Sequence, residues 1–147
     1  MIASRIKHIR EQIPDNVTLI AVSKTKPHEL IQEGISSGHL DFGENKVQEL
    51  VSKYENLPKN IRWHMIGHLQ TNKVKFAVKL FDYIHSVDSA KLAKKIADEQ
   101  EKLNKKIKIF LQVNIGNEVQ KSGIDKNELS TLVTYCKEIN LDLIGLM

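Results

Sequence analysis

The sequence predicts an α/β fold of parallel strands joined by helical crossovers. Three observations lead there. Short β-branched apolar runs recur along the chain, as in VTLIAV at 17–22 and KIKIFLQVN at 106–114. Between them lie stretches with apolar residues at helical spacing. The two patterns alternate about every 20–30 residues, with no linker or low-complexity tract, which is the signature of consecutive βα units.

Ile2, Ile6, Ile9 and Ile13 mark one face of a first helix, stopped by Pro14 and Asp15-Asn16. VTLIAV follows, apolar on both faces, as suits a strand covered on both sides. Pro27 begins a helix with Leu30, Ile31 and Ile35 on one face, closed by Gly38. HLDFG at 39–43 reads as a short strand. Val47, Leu50, Val51 and Tyr54 mark the next helix, which ends before Pro58. IRWHMIG at 61–67 is a strand, and Val74, Ala77, Val78 and Phe81 mark a helix. DYIHSV at 82–87 is a strand. Asp88 is expected to cap a long helix with Leu92, Ile96 and Leu103 in its stripe. After the strand at 106–114, Asp125 and Glu128 resemble a capping box ahead of Leu129, Leu132, Val133 and Cys136. LDLIGLM at 141–147 reads as a further strand.

These are about six βα units. They fit a doubly wound open sheet or a (β/α)8 barrel. The first βα turn, VSKTKP, has no glycine-rich phosphate loop, which argues against a nucleotide-binding open sheet.

Composition is that of a globular protein: 41% apolar and 27% charged. No apolar run approaches the ~20 residues that span a bilayer. The N-terminal segment lacks the apolar core of a secretory signal and carries Glu11, so it reads as an ordinary first helix. Cys136 is the single cysteine, consistent with a reducing cytoplasm. The net charge is +4, but the lysines are scattered and often neighbour acids, as in DEQEKLNKK. Solvated helix faces are expected, rather than a nucleic-acid groove.

In both architectures, function collects at the carboxyl ends of the strands. There the sequence places Ser23, Lys24, Thr25 and Lys26, then Gly43, Glu44 and Asn45, then Ile66, Gly67 and His68, then His85 and Ser86, then Gln112 and Asn114. A lysine continuing an apolar strand stands near a low-dielectric mouth. Burial favours the neutral amine, which attacks aldehydes. A solvated lysine at a strand end is the plainer reading. His64 and His68 are four apart, but Gly67 breaks the strand between them and no acid or cysteine cluster accompanies them. No metal site is expected. His64 reads as a core residue and His68 as a contact at the mouth. Asn45 or Glu44 either caps the next helix or, for Asn45, offers its amide to a bound ring. The loop with Gln120, Lys121, Ser122 and Gly123 either closes over a ligand or is an ordinary connection.

AVSKTKP at 21–27, FGENKVQE at 42–49, WHMIGHLQTNK at 63–73, HSVDS at 85–89, LQVN at 111–114 and KSGI at 121–124 occur in this order. Together they resemble the YggS/PROSC family, the pyridoxal 5′-phosphate (PLP) homeostasis proteins. The resemblance spans essentially the whole chain. It implies a (β/α)8 barrel like the N-terminal domain of alanine racemase, here as a single PLP-binding domain over 1–147. It implies PLP as cofactor, held as a Schiff base on Lys24. Asn45 and Ile66 would approach the pyridine ring, with His68 at the adjoining position. Lys26 and Lys121 are secondary positions for contact or exchange.

The family pattern continues through two more strands with the phosphate-binding loops, whereas this sequence stops at GLM. Such barrels take ~250 residues, and six strands leave two open edges. A fragment of a longer, monomeric protein is expected, with a dimer as the alternative for a truncated chain.

The resemblance implies a cytoplasmic carrier of PLP that serves apo PLP-dependent enzymes without robust catalysis. The alternative is a racemase-like PLP enzyme, which needs acid and base groups on opposite faces of the substrate carbon. Tyr54, Tyr83 and Tyr135 fall on helix or strand bodies, away from the mouth. A cofactor-free Schiff-base lyase and a basic nucleic-acid-binding domain leave the other motifs unexplained.

Overall fold

The computed structural model of the protein describes residues 1–116 and 123–147. Six strands form the main sheet: β1 (Ala21–Val22), β2 (Asp41–Glu44), β3 (Arg62–Met65), β4 (Tyr83–Val87), β5 (Lys108–Leu111) and, late in the chain, β8 (Asp142–Leu146). Their order is β1-β2-β3-β4-β5-β8, and every pairing is parallel. Each main strand therefore lies beside the one before it. A doubly wound sheet would reverse direction partway. Sequential order is the winding of a (β/α)8 barrel, and it decides between the two architectures.

The helices are α1 (Ile2–Glu11), α2 (His28–Ser36), α3 (Val47–Tyr54), α4 (Val74–Leu80), α5 (Ala90–Leu103) and α6 (Leu129–Glu138). They cover one face of the sheet. Strand residues Phe42, Trp63, Met65, Ile84 and Ile109 pack there with Ile31, Leu50, Val74, Ala77, Leu92 and Ile96 of the helices. Alternation along each strand sends Gly43, His64, Tyr83 and His85 to the inner face. That face carries a polar network. Asp41 accepts two hydrogen bonds from Arg62, at 2.9 and 2.7 Å, and a third contact from His64 Nε2 at 2.9 Å. His64 stacks on Tyr83, and His85 stacks on Phe110.

Several boundaries differ from the sequence expectation. VTLIAV contributes only Ala21–Val22 to the sheet. Val17, outside β1, is exposed, and Val22 is half-exposed because, among the described residues, β1 pairs with β2 alone. The strand expected at 106–114 is two pieces. β5 ends at Leu111, and β6 (Val113–Asn114) pairs in parallel with β7 (Ile124–Asp125) as a small second sheet. Ser89, not Asp88, caps α5: its side chain accepts from the Leu92 amide at 3.1 Å. Asp88 instead accepts from the Gly123 amide. Asp125 caps a 3-10 turn over 126–128 by accepting from the Asn127 amide, and α6 starts after that turn. α3 begins from Lys46 without a side-chain cap, so neither Asn45 nor Glu44 serves as one.

Candidate functional site

The loop after β1 holds Ser23 buried and Lys24, Thr25 and Lys26 exposed. Lys24 is thus not sheltered in the way its place after an apolar run suggests. Its backbone is fixed instead. The Ser23 amide donates to Gly43 O at 2.9 Å, which ties the loop to β2. The Lys26 amide returns to Ser23 O at 3.1 Å and closes a turn. Thr25 adopts a left-handed conformation, φ 61°, that β-branched residues rarely take.

Beneath this loop lies a charged cluster on the helix side of the sheet. Glu44, at the end of β2, is fully buried and accepts from the Ser23 hydroxyl. Lys53 of α3 reaches the two Glu44 oxygens at 3.3 and 3.2 Å, Glu49 Oε2 at 2.6 Å and Ser23 O at 2.9 Å. Glu49 Oε2 also accepts from the Thr25 amide at 2.5 Å. Burial pushes the Glu44 carboxyl up, and the Ser23 hydroxyl and Lys53 ammonium oppose it. Burial pushes Glu49 the same way, but Lys53 and the Thr25 amide outweigh it and hold that carboxyl below the ordinary value. Removing one partner of a buried ion pair costs about 3–5 kcal/mol, so Lys53 is a structural necessity for Glu44.

The segment after β2 and the loop after β3 meet closely. The Ile66 amide donates to Glu44 O at 3.0 Å. Ile66 lies over Gly43: a Cβ there would stand 3.0 Å from Ile66 Cδ1. At Gly67 a Cβ would come within 2.5 Å of the Asn45 carbonyl oxygen, so only glycine permits this approach. Asn45 and His68 line one cavity of about 440 Å³, together with Gln48, Met65, Gln70 and Lys73. Lys26 lies elsewhere, in a groove of about 410 Å³ between α1, α2 and the free side of β1. Lys24 and Ile66 line neither space. Lys121, with Gln120 and Ser122, lies outside the described residues.

On the inner face, His64 is buried and His85 half-buried, with His64 Nδ1 2.9 Å from His85 Nε2. Burial pushes His85 down to about 4, with His64 adding to the effect. Burial also lowers His64, against the raising influence of Asp41. The sequence reading of His64 as a core residue fits its burial, but the reading missed this network. A signal was available: Asp41, His64, Tyr83 and His85 alternate with apolar neighbours in their strands. Among the described residues, no three His, Cys, Asp or Glu side chains are grouped to hold a metal ion.

A family model for the alanine racemase N-terminal domain matches residues 1–147. A curated pyridoxal phosphate homeostasis protein of Vibrio alginolyticus is 40% identical over 162 residues, covering 99% of this chain and 70% of its own length. The chain belongs to the pyridoxal phosphate homeostasis family. The Escherichia coli K12 member is 36% identical over 161 residues, covering 99% of this chain and 69% of its own. PipY of Synechococcus elongatus PCC7942, solved with PLP bound, superposes with a TM-score of 0.88 at 35% identity, covering 100% of this chain and 70% of PipY. An alanine racemase of Clostridium difficile 630, at 17% identity and TM-score 0.79, covers 99% of this chain and 39% of the racemase and shares the fold. The sequential parallel winding described above is the one shared with the racemase fold. Lys24 follows β1, Asn45 follows β2, and Ile66 and His68 follow β3.

Proposed function

We propose that this chain is a PLP-binding protein of intracellular vitamin B6 homeostasis, acting in the cytoplasm, with residues 1–147 as one barrel-type binding domain. Lys24 holds the cofactor as a Schiff base. The observation that carries the reading is the position of Lys24: an accessible amine on a backbone pinned from two elements, at the carboxyl end of the first strand, in a chain that matches PLP-bound PipY along its whole length.

The residues present fit the group. The chemistry PLP would supply when bound is an aldehyde that condenses with an amine with loss of water. Lys24 Nζ is the amine. Ile66 offers an apolar wall over Gly43. Asn45 offers one donor and one acceptor, its position set by the tight approach of Gly67. His68 lies beside Asn45 on the shared cavity. Lys26 and Lys121 are secondary contacts, of which Lys26 faces the β1 groove.

The role is carriage of PLP to apo-enzymes, without turnover of its own. Racemisation needs an acid and a base on opposite faces of the substrate carbon. The three tyrosines stand on α3, β4 and α6, and Tyr83 is committed to stacking on His64. The homeostasis names of the relatives accord with this role.

PLP titration followed by visible absorption, borohydride reduction and peptide mapping tests the reading. The label is expected on Lys24 and is lost in Lys24→Ala. The same labelled peptide pattern in Lys24→Ala overturns it. Sustained racemisation of alanine or another amino acid overturns the non-catalytic role.

A further inference from the structure

We infer that Glu49, held in place by Lys53, is a positioning residue that presents Lys24 to the cofactor. The inference rests on the reading of Lys24 just given. It goes further by placing part of the binding machinery on α3, away from the mouth of the barrel.

Both peptide groups flanking Lys24 are tied to one helix. The Ser23 carbonyl, on its N-terminal side, accepts from Lys53 Nζ at 2.9 Å. The Thr25 amide, on its C-terminal side, donates to Glu49 Oε2 at 2.5 Å. Glu49 and Lys53 are four residues apart on α3 and pair with each other at 2.6 Å. Lys53 in turn is anchored by Glu44, which no solvent reaches. The chain of contacts runs from a fully buried carboxylate, through one ammonium, to the two backbone groups that bracket Lys24.

The conformation held this way is not one the loop adopts by preference. Thr25 sits at φ 61°. A β-branched residue persists there only where its surroundings hold it. The Thr25 hydroxyl, 2.6 Å from Lys24 O, contributes locally, and Glu49 is the contact that reaches from another element. Releasing the Thr25 amide frees the loop to relax toward ordinary backbone angles, and this re-aims the Lys24 side chain. A surface ion pair on a helix would contribute little by itself. This pair differs because its carboxylate also accepts from a backbone amide 24 positions away in sequence.

Glu49 is the residue to change, because it is partly exposed and its removal leaves the Glu44–Lys53 pair intact. Glu49→Ala removes the acceptor, whereas Glu49→Gln keeps an oxygen for the Thr25 amide. Each variant is titrated with PLP by visible absorption, its bound-cofactor band is recorded by circular dichroism, and the borohydride-reduced peptide is mapped. In Glu49→Ala the label stays on Lys24, PLP binds roughly 10-fold more weakly, and the circular dichroism of the bound cofactor changes. Glu49→Gln restores affinity and band. Lys53→Met changes both in the same direction. Should Lys53→Met not fold, the Glu49 pair decides alone. A merely structural role would lower the melting temperature and leave the dichroic band and the Gln rescue without effect. A folded Glu49→Ala with wild-type affinity and band overturns this inference while Lys24 remains the labelled residue. Label on another residue in the wild-type protein overturns the reading of Lys24 and this inference with it.

Discussion

His64 and His85, on neighbouring strands, meet ring nitrogen to ring nitrogen at 2.9 Å. His64 Nε2 faces Asp41 Oδ1 at 2.9 Å, so its proton belongs on Nε2 and its Nδ1 accepts from His85. Both rings are neutral in this arrangement. A proton added to His64 would reverse this bond, with His85 Nε2 turning acceptor, whereas a proton on both would place two cations in contact.

The stability of the protein therefore depends on pH in a particular window. His85 is lowered from 6.5 to about 4, so the unfolded state binds the proton first as pH falls. Its contribution is complete above the unfolded value and is lost as pH falls through the folded one. The loss is on the order of 2–3 kcal/mol, allowing for solvent around a half-buried ring. Urea midpoints at pH 7, 6, 5 and 4.5 should decline steadily. His85→Gln should flatten the decline, and His64 and His39, both lowered by burial, should leave a residual slope. An unchanged slope in His85→Gln would remove His85 from the account.

Gly67→Ala should destabilise the protein by about 1–3 kcal/mol, because the new methyl meets backbone that has no rotamer to yield. The displaced segment includes Asn45, so the PLP response should weaken as well. Chemical denaturation and a PLP titration on the same sample would separate the two effects. A variant with wild-type stability and binding would show that the Asn45 segment moves freely.

Trp63 is the one tryptophan of the sequence and is 1% exposed in the helix-side core. Trp63→Ala should cost about 3–5 kcal/mol through lost burial and the cavity it leaves. Native emission should be blue-shifted and move red on unfolding, together with the far-ultraviolet circular dichroism signal. Emission already at the solvent wavelength in the native protein would contradict the burial.

Ser89→Ala should cost about 1 kcal/mol by releasing the Leu92 amide at the start of α5. Thermal melts of Ser89→Ala beside Ser89→Thr provide the comparison, since threonine keeps the capping oxygen. Equal losses in the two variants would argue against capping as the cause.

The sheet and helices were legible because burial on one face writes itself into spacing, as in Leu92 and Ile96 of α5 or the run around Ile109. Two features were not. β6 and β7 are two residues each, too short to carry a period, and they are not adjacent in sequence. The pairing of Glu49 with Lys53 is visible as helix spacing, but its reach to Thr25 depends on where α3 settles against β2. Lys24 was legible as a strand-end amine. Its exposure was not, because the partners of β1 cannot be read from VTLIAV.

The sequential strand order has a consequence for how the chain acquires its structure. Within the main sheet, each strand after β1 pairs with the main-sheet strand that precedes it in the chain. Registered partners such as Ala21 and Phe42, or Phe42 and Trp63, therefore close loops of modest length. Loop entropy rises slowly with such lengths, and parallel pairing does not here demand distant encounters. Assembly can then proceed by accretion, one unit docking on the last, in the manner of a repeat array. Amide exchange should be slowest around β3 and β4, which have neighbours on both sides, and fastest at the β1 end, where the loop of Lys24 begins.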